Sequence, residues 1–275
     1  MPLLKDLRAG PALPKTEIRY PSTGGLTITG LMCRPAGDGP FPVIAINHGG
    51  FDPASSVGGL VHLFAKLGYV AVASDYRGTG GSDGRPEMAA GEVDDVLALL
   101  EWVGRLPFAD AGRTVMMGVS HGGKIALLAA AREPSIRAVL DLVGPTDTRA
   151  WWDYLMSDPD RSPNVRRLVD TLLAKVPELP FWDDSEWARR SPIRVADRIG
   201  CPTLLIYGAA DDMVPLEQGV RMHEALRAAG KPSELIIDPE AGHYFDAAAW
   251  ERIARPMIDF LNRGAGLPPL PETVR

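Results

Sequence analysis

Val115-Met-Met-Gly-Val-Ser-His-Gly-Gly123 joins an apolar run to Lys124-Ile-Ala-Leu-Leu-Ala-Ala-Ala131, a segment that is apolar nearly all round. The run reads as a strand buried on both faces, and the second segment as a helix buried between a sheet and another layer. Between them Gly118, Ser120 and Gly122 satisfy G-x-S-x-G, the pattern of a strained strand-to-helix turn that exposes a serine hydroxyl above a sheet. Such a turn brings backbone against backbone and leaves no room for a Cβ atom at either glycine. It also aims the first free N–H groups of the helix at the place where an oxyanion would develop. The same residues read as G-x-x-x-x-G-K from Gly118 to Lys124, but a phosphate loop needs Ser or Thr next to hold Mg²⁺, and position 125 is Ile. Asp141, closing Ala138-Val-Leu-Asp, is an accidental match to that loop's acidic partner.

Working outward, apolar strand-like runs recur at Pro42–Asn47, Tyr69–Ser74, Thr114–Gly118, Ala138–Val143, Thr203–Tyr207 and Glu234–Ile237, each separated from the next by a helix-sized segment. Upstream, Thr16–Tyr20 and Leu26–Cys33 flank a Thr-Gly-Gly turn and predict a hairpin. In one intervening segment Val93, Val96, Leu97, Leu100 and Val103 keep the i, i+3, i+4, i+7 rule, while Glu92, Asp94, Asp95 and Glu101 fall elsewhere. This is the pattern of an amphipathic helix lying on a sheet. A hairpin followed by strand–helix alternation predicts an α/β fold: a mostly parallel central sheet with helices on both faces.

Pro145–Arg198 breaks the rhythm: it has no strand-like run, carries four of the six tryptophans, and reads as two or three short helices broken by Pro159, Pro163, Pro177 and Pro180. The expected organisation is a core of residues 1–144 and 199–275 with a helical cap, 145–198, inserted over the carboxyl edge of the sheet. About half of the cap aromatics should build a small core and the rest line an apolar pocket. The lining candidates are Trp151, Trp152, Tyr154, Phe181 and Trp182, with Tyr244. Arg189-Arg-Ser-Pro192 is expected to be a solvated helix end, and Gly266–Pro271 a frayed or extended arm.

A serine hydroxyl needs an imidazole to take its proton and a carboxylate to hold that imidazole. Of the five histidines, His48 suits a turn, His62 and His223 lie within predicted helices, and His121 adjoins Ser120 on a sharp elbow where neighbours diverge. His243, in a Gly-containing loop after the last strand, remains as the base. Asp211 follows the Thr203–Tyr207 run by one short turn and is preferred as the acid over Asp212, for which a turn role is expected.

The motifs Asn47-His-Gly-Gly-Phe51, Asp75-Tyr-Arg-Gly-Thr-Gly-Gly-Ser82, Gly118-Val-Ser-His-Gly-Gly123, Tyr207-Gly-Ala-Ala-Asp-Asp-Met-Val-Pro215 and Ala241-Gly-His-Tyr-Phe245 span positions 47 to 245. Through them the chain resembles the α/β-hydrolase superfamily, and within it the dienelactone-hydrolase-like and prolyl-oligopeptidase-like serine hydrolases. The resemblance implies an α/β-hydrolase fold with nucleophile Ser120, acid Asp211 and base His243, in the superfamily's chain order. It implies oxyanion donors at the backbone N–H of His121 and in the Gly50–Phe51 loop. Two departures stand out: bacterial dienelactone hydrolases use a cysteine nucleophile, and the 275 residues leave none for the β-propeller of prolyl oligopeptidases. Both favour a small-molecule carboxylic esterase over a dedicated peptidase; a peptidase or amidase with the same triad stays as an alternative, and the intact set of all three triad types argues against a ligand-binding relative without catalysis. The loop from Asp75 to Ser82 lacks the third glycine of a dinucleotide fingerprint, since position 83 is Asp, so it reads as a tight turn with Arg77 bracing its neighbours.

Composition agrees. The 275 residues are 45% apolar and 23% charged, and 29 glycines and 25 prolines supply abundant turns. A net charge of −6 without a basic stripe predicts neither nucleic-acid nor membrane partners. Cys33 and Cys201 show no metal-ligand spacing and read as small buried hydrophobes of a reducing compartment. The first residues lack a signal-peptide layout, and no apolar run reaches membrane length, so a cytoplasmic protein is expected. No metal or cofactor is expected; the expected partner is a small apolar or aromatic ester, with homodimerisation left open.

Overall fold

In the computed structural model, which describes residues 12–270, the core is one eight-stranded sheet. Its strands are β1 (Lys15–Pro21), β2 (Thr27–Cys33), β3 (Phe41–Asn47), β4 (Val70–Ser74), β5 (Ala109–Val119), β6 (Val139–Leu142), β7 (Thr203–Gly208) and β8 (Ser233–Asp238). They lie in the order β1-β2-β4-β3-β5-β6-β7-β8, with β2 antiparallel to both neighbours and every pair from β4 through β8 parallel. This is the predicted α/β architecture, the α/β-hydrolase fold.

The continuous apolar runs are explained by burial on both faces. Along β3, Val43 and Ala45 enter one core while Ile44 and Ile46 enter the other, and along β4 Val70 and Val72 part from Ala71 and Ala73 in the same way. One core is closed by α2 (Gly91–Val103), α3 (His121–Ala130) and α7 (Glu217–Ala228), the other by α1 (Gly58–Lys66) and α8 (Ala247–Ala265). Strand β8 differs from the others: as an edge strand it is only half buried, and Ile237 faces outward. Cys33 and Cys201 are free and buried. No helix among the described residues is long and apolar enough to cross a membrane.

Between β6 and β7 the chain forms α4 (Thr148–Ser157), α5 (Pro163–Lys175), α6 (Asp184–Ala188) and a 3₁₀ segment, Pro192–Arg198. Pro163 starts a helix rather than breaking one: it occupies the first turn of α5, where its missing N–H is harmless, behind the Ser162 cap on the Val165 N–H. Trp151, Trp152, Phe181 and Trp187 are buried, and the Trp187 ring meets those of Phe181 and Trp152 at 4.9 and 6.3 Å.

Two expectations about charged residues are overturned, and one of the two readings of the tail falls. On α2 the buried stripe takes in Glu92 and Asp95, which helical periodicity placed off the core face. Glu92 Oε1 accepts the Glu87 and Met88 N–H groups at 2.6 and 3.0 Å, and Asp95 receives the Arg77 Nε and Nη2 at 3.0 and 2.9 Å. These carboxylates are buried because the loop after β4 is tied to them, and Arg77 braces that loop. Arg190 is not a solvated helix end: it is buried, donating to the Glu87 and Glu186 carbonyls at 3.0 and 2.9 Å. The tail is not frayed as far as residue 270, since the Leu270 N–H bonds Asp259 at 2.7 Å and its side chain is buried; Pro271 lies outside the described residues.

Lys124 excludes a phosphate loop by its position. Its Nζ is fully buried with no hydrogen-bond partner, 5.6 Å from the centre of the Trp151 ring. Burial, with some help from the Arg190 charge, pushes its pKa down to about 7, against the opposing pull of Glu92. The unfolded chain therefore binds a proton below about pH 10.4 that the folded chain refuses until about pH 7, so this residue costs stability as pH falls through that window. Lys124→Met should raise unfolding free energy by ~4 kcal/mol at pH 7, and the gain should shrink as pH approaches 10. Urea denaturation of both proteins at pH 7 and 9.5 measures this; an equal gain at the two pH values would refute it.

Candidate active site

The parallel register levels the strand ends, pairing Asn47 with Gly118, Val119 with Leu142 and Gly208 with Asp238. The loops leaving β3, β5, β7 and β8 thus meet above one edge. Ser120 sits there at φ 54°, ψ −119°, backbone that a non-glycine residue adopts only when its surroundings hold it. They do: the Ser120 N–H donates to the Leu142 carbonyl at 2.7 Å, and α3 begins immediately afterwards. A Cβ at Gly118 would stand 2.0 Å from the Gly122 carbonyl oxygen, and one at Gly122 would stand 2.2 Å from that of Asn47. The third glycine has a different cause, because a Cβ at Gly123 would strike Asp141 Oδ1 at 1.9 Å. That carboxyl is buried behind the elbow, bonded by the Tyr207 hydroxyl at 2.6 Å, and burial pushes its pKa up to about 7.

His243 Nε2 lies 3.0 Å from Ser120 Oγ, and His243 Nδ1 lies 2.8 Å from Asp211 Oδ2. With its proton on Nδ1 the imidazole donates to the carboxylate and accepts from the hydroxyl, the tautomer a general base requires. Asp211 Oδ1 accepts the Met213 and Val214 N–H groups, each at 2.8 Å. The turn role expected of Asp212 thus falls to Asp211, and Asp212 takes part through its carbonyl, which accepts the Tyr154 hydroxyl at 3.2 Å.

The residues around Ser120 also place the amides. His121 is the first residue of α3, so its N–H has no intrahelical acceptor. Its ring lies 6.1 Å from Phe51 and 6.4 Å from Tyr76, outside the cavity lining, and burial holds its pKa well below the ordinary value. Gly50 has φ +59°, and a Cβ at Gly49 would come within 3.3 Å of the Ser120 Cβ, so the loop after β3 abuts the serine. His48 is buried and stacked on Tyr76 at 4.2 Å. His62 accepts the Leu13 N–H at 3.1 Å, and His223 Nδ1 lies 2.9 Å from Ser233 Oγ.

A cavity of about 460 Å³ opens on Ser120, Gly49, Gly50 and His243. Of the pocket-lining residues expected from sequence, only Tyr244 is on it, 70% exposed at the mouth. Trp151, Trp152 and Phe181 are buried elsewhere, with the Trp151 Nε1 bonded to the Met213 carbonyl at 2.8 Å; Tyr154 lies outside it, and Trp182 is 97% exposed. The cavity runs instead between α1 and α8, walled by Val57, Leu60, Leu63, Trp250 and Met257, with Leu168 reaching over from α5. One signal in the sequence pointed there: Trp250 lies seven residues after His243, in the first turn of the helix that the histidine loop must lead into. No cluster of His, Cys, Asp and Glu among the described residues could hold a metal ion.

A hydroxyl linked through imidazole to a buried carboxylate, at the carboxyl edge of this sheet, defines the class of serine hydrolases on the α/β-hydrolase fold. Residues 55–267 match the prolyl oligopeptidase family, and the chain belongs to it. The uncharacterized peptidase YtmA of Bacillus subtilis is 25% identical over 87% of this chain and 90% of its own length. A Methylorubrum extorquens protein provisionally described as a carboxymethylenebutenolidase is 28% identical over 84% of this chain and 72% of its own. The structure of Pyrococcus horikoshii acylaminoacyl peptidase superposes with a TM-score of 0.77 at 19% identity, covering 96% of this chain, which spans 43% of that one. That likeness is one of fold.

Proposed function

We propose that the protein hydrolyses carboxylic esters of small apolar substrates through an acyl-enzyme, with Ser120 as nucleophile, His243 as base and then acid, and Asp211 as the carboxylate that orients it. The observation that carries this reading is the unbroken chain of two hydrogen bonds, 3.0 and 2.8 Å, from Ser120 to Asp211. Ser120 Oγ attacks the acyl carbon as His243 Nε2 takes its proton, and the oxyanion is received by the N–H groups of His121 and the Gly50–Phe51 loop. The alcohol leaves with the proton from His243, and water then repeats the sequence on the acyl-enzyme. Residues 145–198 form a cap over this edge, contributing Leu168 to the cavity.

The cavity favours an ester over a peptide: apart from His243 its one ionisable group of strong charge is Asp52, and its walls are apolar, which suits an uncharged substrate. Peptidase or amidase activity is the second reading, favoured by membership of a family named for an oligopeptidase and by the names of its relatives. We expect p-nitrophenyl esters to turn over faster than aminoacyl-p-nitroanilides of matched acyl group by at least a hundredfold, and a fluorophosphonate probe to label Ser120. Comparable rates for anilides and esters would establish the amidase reading instead, and absence of labelling would remove both.

A further inference from the structure

We infer that the slot between α1 and α8 receives the alcohol part of the substrate, so that the protein selects esters of bulky apolar alcohols carrying a small acyl group. This rests on the ester-hydrolase reading above and adds the side of the scissile bond on which size is recognised. The argument begins with the proton. His243 Nε2, 3.0 Å from Ser120 Oγ, must next lie within hydrogen-bond reach of the departing oxygen, so the leaving group occupies the flank of Ser120 that His243 forms. The carbonyl oxygen must turn the other way, to the His121 N–H and the loop after β3.

The cavity reaches the histidine's flank. Its walls there are His243 and Tyr244, with Val119, Leu60 of α1 and Trp250 of α8, and it also takes in Gly49, Gly50 and Asp52 of the loop after β3. At about 460 Å³ it has room for a hexyl or cyclohexylethyl group. Beyond the His121 amide the side chains are packed. The His121 ring stands between Phe51 and Tyr76, Tyr76 is closed off by His48 stacked at 4.2 Å, and Trp151 is anchored to the Met213 carbonyl. None of these rings lines the cavity, and Tyr76, His48 and Trp151 are buried. The acyl group therefore takes the smaller space, beside these packed rings. In the balanced step, the Ser120 Oγ–acyl bond forms and the acyl–alkoxy bond breaks. The alcohol departs with the proton that His243 took from Ser120, and water restores the serine with release of the carboxylic acid.

The test uses the whole protein and two ester series. In the first the acyl group is acetyl and the alcohol grows from ethyl to hexyl to 2-cyclohexylethyl, alkyl alcohols of similar leaving tendency. In the second the alcohol is ethyl and the acyl group grows from acetyl to octanoyl. We expect kcat/KM to rise at least about tenfold from ethyl to hexyl acetate, because each buried methylene adds a severalfold preference, and to fall along the second series. Leu60→Trp, which fills the slot from α1, should bring the hexyl-to-ethyl ratio down about tenfold; Leu168→Trp fills it from the other side should the first variant not fold. A ratio near one in the first series, or a rise along the second, overturns the inference while leaving the ester reading intact. Absence of turnover with every ester overturns both, and fluorophosphonate labelling of Ser120 then separates an amidase from an inactive protein.

Discussion

Ser120→Ala is expected to lower ester turnover by several orders of magnitude, up to about a millionfold, while leaving the fold untouched. The substitution removes one atom, the Oγ that lies 3.0 Å from His243 Nε2. The Ser120 N–H, its bond to the Leu142 carbonyl and the contacts of Gly118 and Gly122 do not involve that oxygen. The residual rate would come from the amides and the cavity alone, which can still hold an ester but offer no nucleophile. Steady-state hydrolysis of p-nitrophenyl acetate, with urea denaturation to show unchanged stability, measures it. Activity within tenfold of the original would end the proposed mechanism.

Asp211→Asn should cost about ten-thousandfold in kcat for a different reason, a misplaced proton. Asp211 Oδ1 accepts two backbone N–H groups, from Met213 and Val214, so the amide oxygen of the replacement must stay on that side. Its NH₂ is then turned toward His243 Nδ1, which has to become an acceptor. The imidazole proton moves to Nε2, and the ring can no longer take a proton from Ser120. The signature is a collapse in kcat with little change in KM and with the turn intact, read from initial rates over a range of substrate concentration. A loss below tenfold would show that Asp211 does not set the tautomer.

The legible part of this protein was the part governed by local rules. Strand-length apolar runs mark burial between two layers, and β3 and β4 show why, alternating side chains into separate cores. Ser120, Asp211 and His243 were singled out because each falls in a short loop just past a strand, and the structure links them by two hydrogen bonds. The substrate-facing aromatics were misread because tryptophan count says that a segment is apolar, and not which way it faces. Trp152, Phe181 and Trp187 pack on one another and join the core on one face of the sheet. Trp250 and Leu60 were overlooked since each looks like an ordinary core residue of an amphipathic helix. The burial of Glu92 and Asp95 depends on donors in the loop that precedes the helix, Arg77 above all, and helical periodicity carries no such information.

The closeness of the first two catalytic loops has a mechanical consequence. The Gly122 Cα lies against the Asn47 carbonyl, Gly49 against the Ser120 Cβ, and the Asn47 side-chain amide donates to the Met117 carbonyl at 3.0 Å. Ser120 and the loop after β3 are therefore joined in one block whose spacing is that of two adjacent strands. The cavity walls beyond that block, Leu60 and Leu63 of α1 and Trp250 and Met257 of α8, are side chains rather than backbone. Chemistry and selectivity can diverge independently here: exchanging those side chains would sample a new substrate range without retuning the strained serine beneath them.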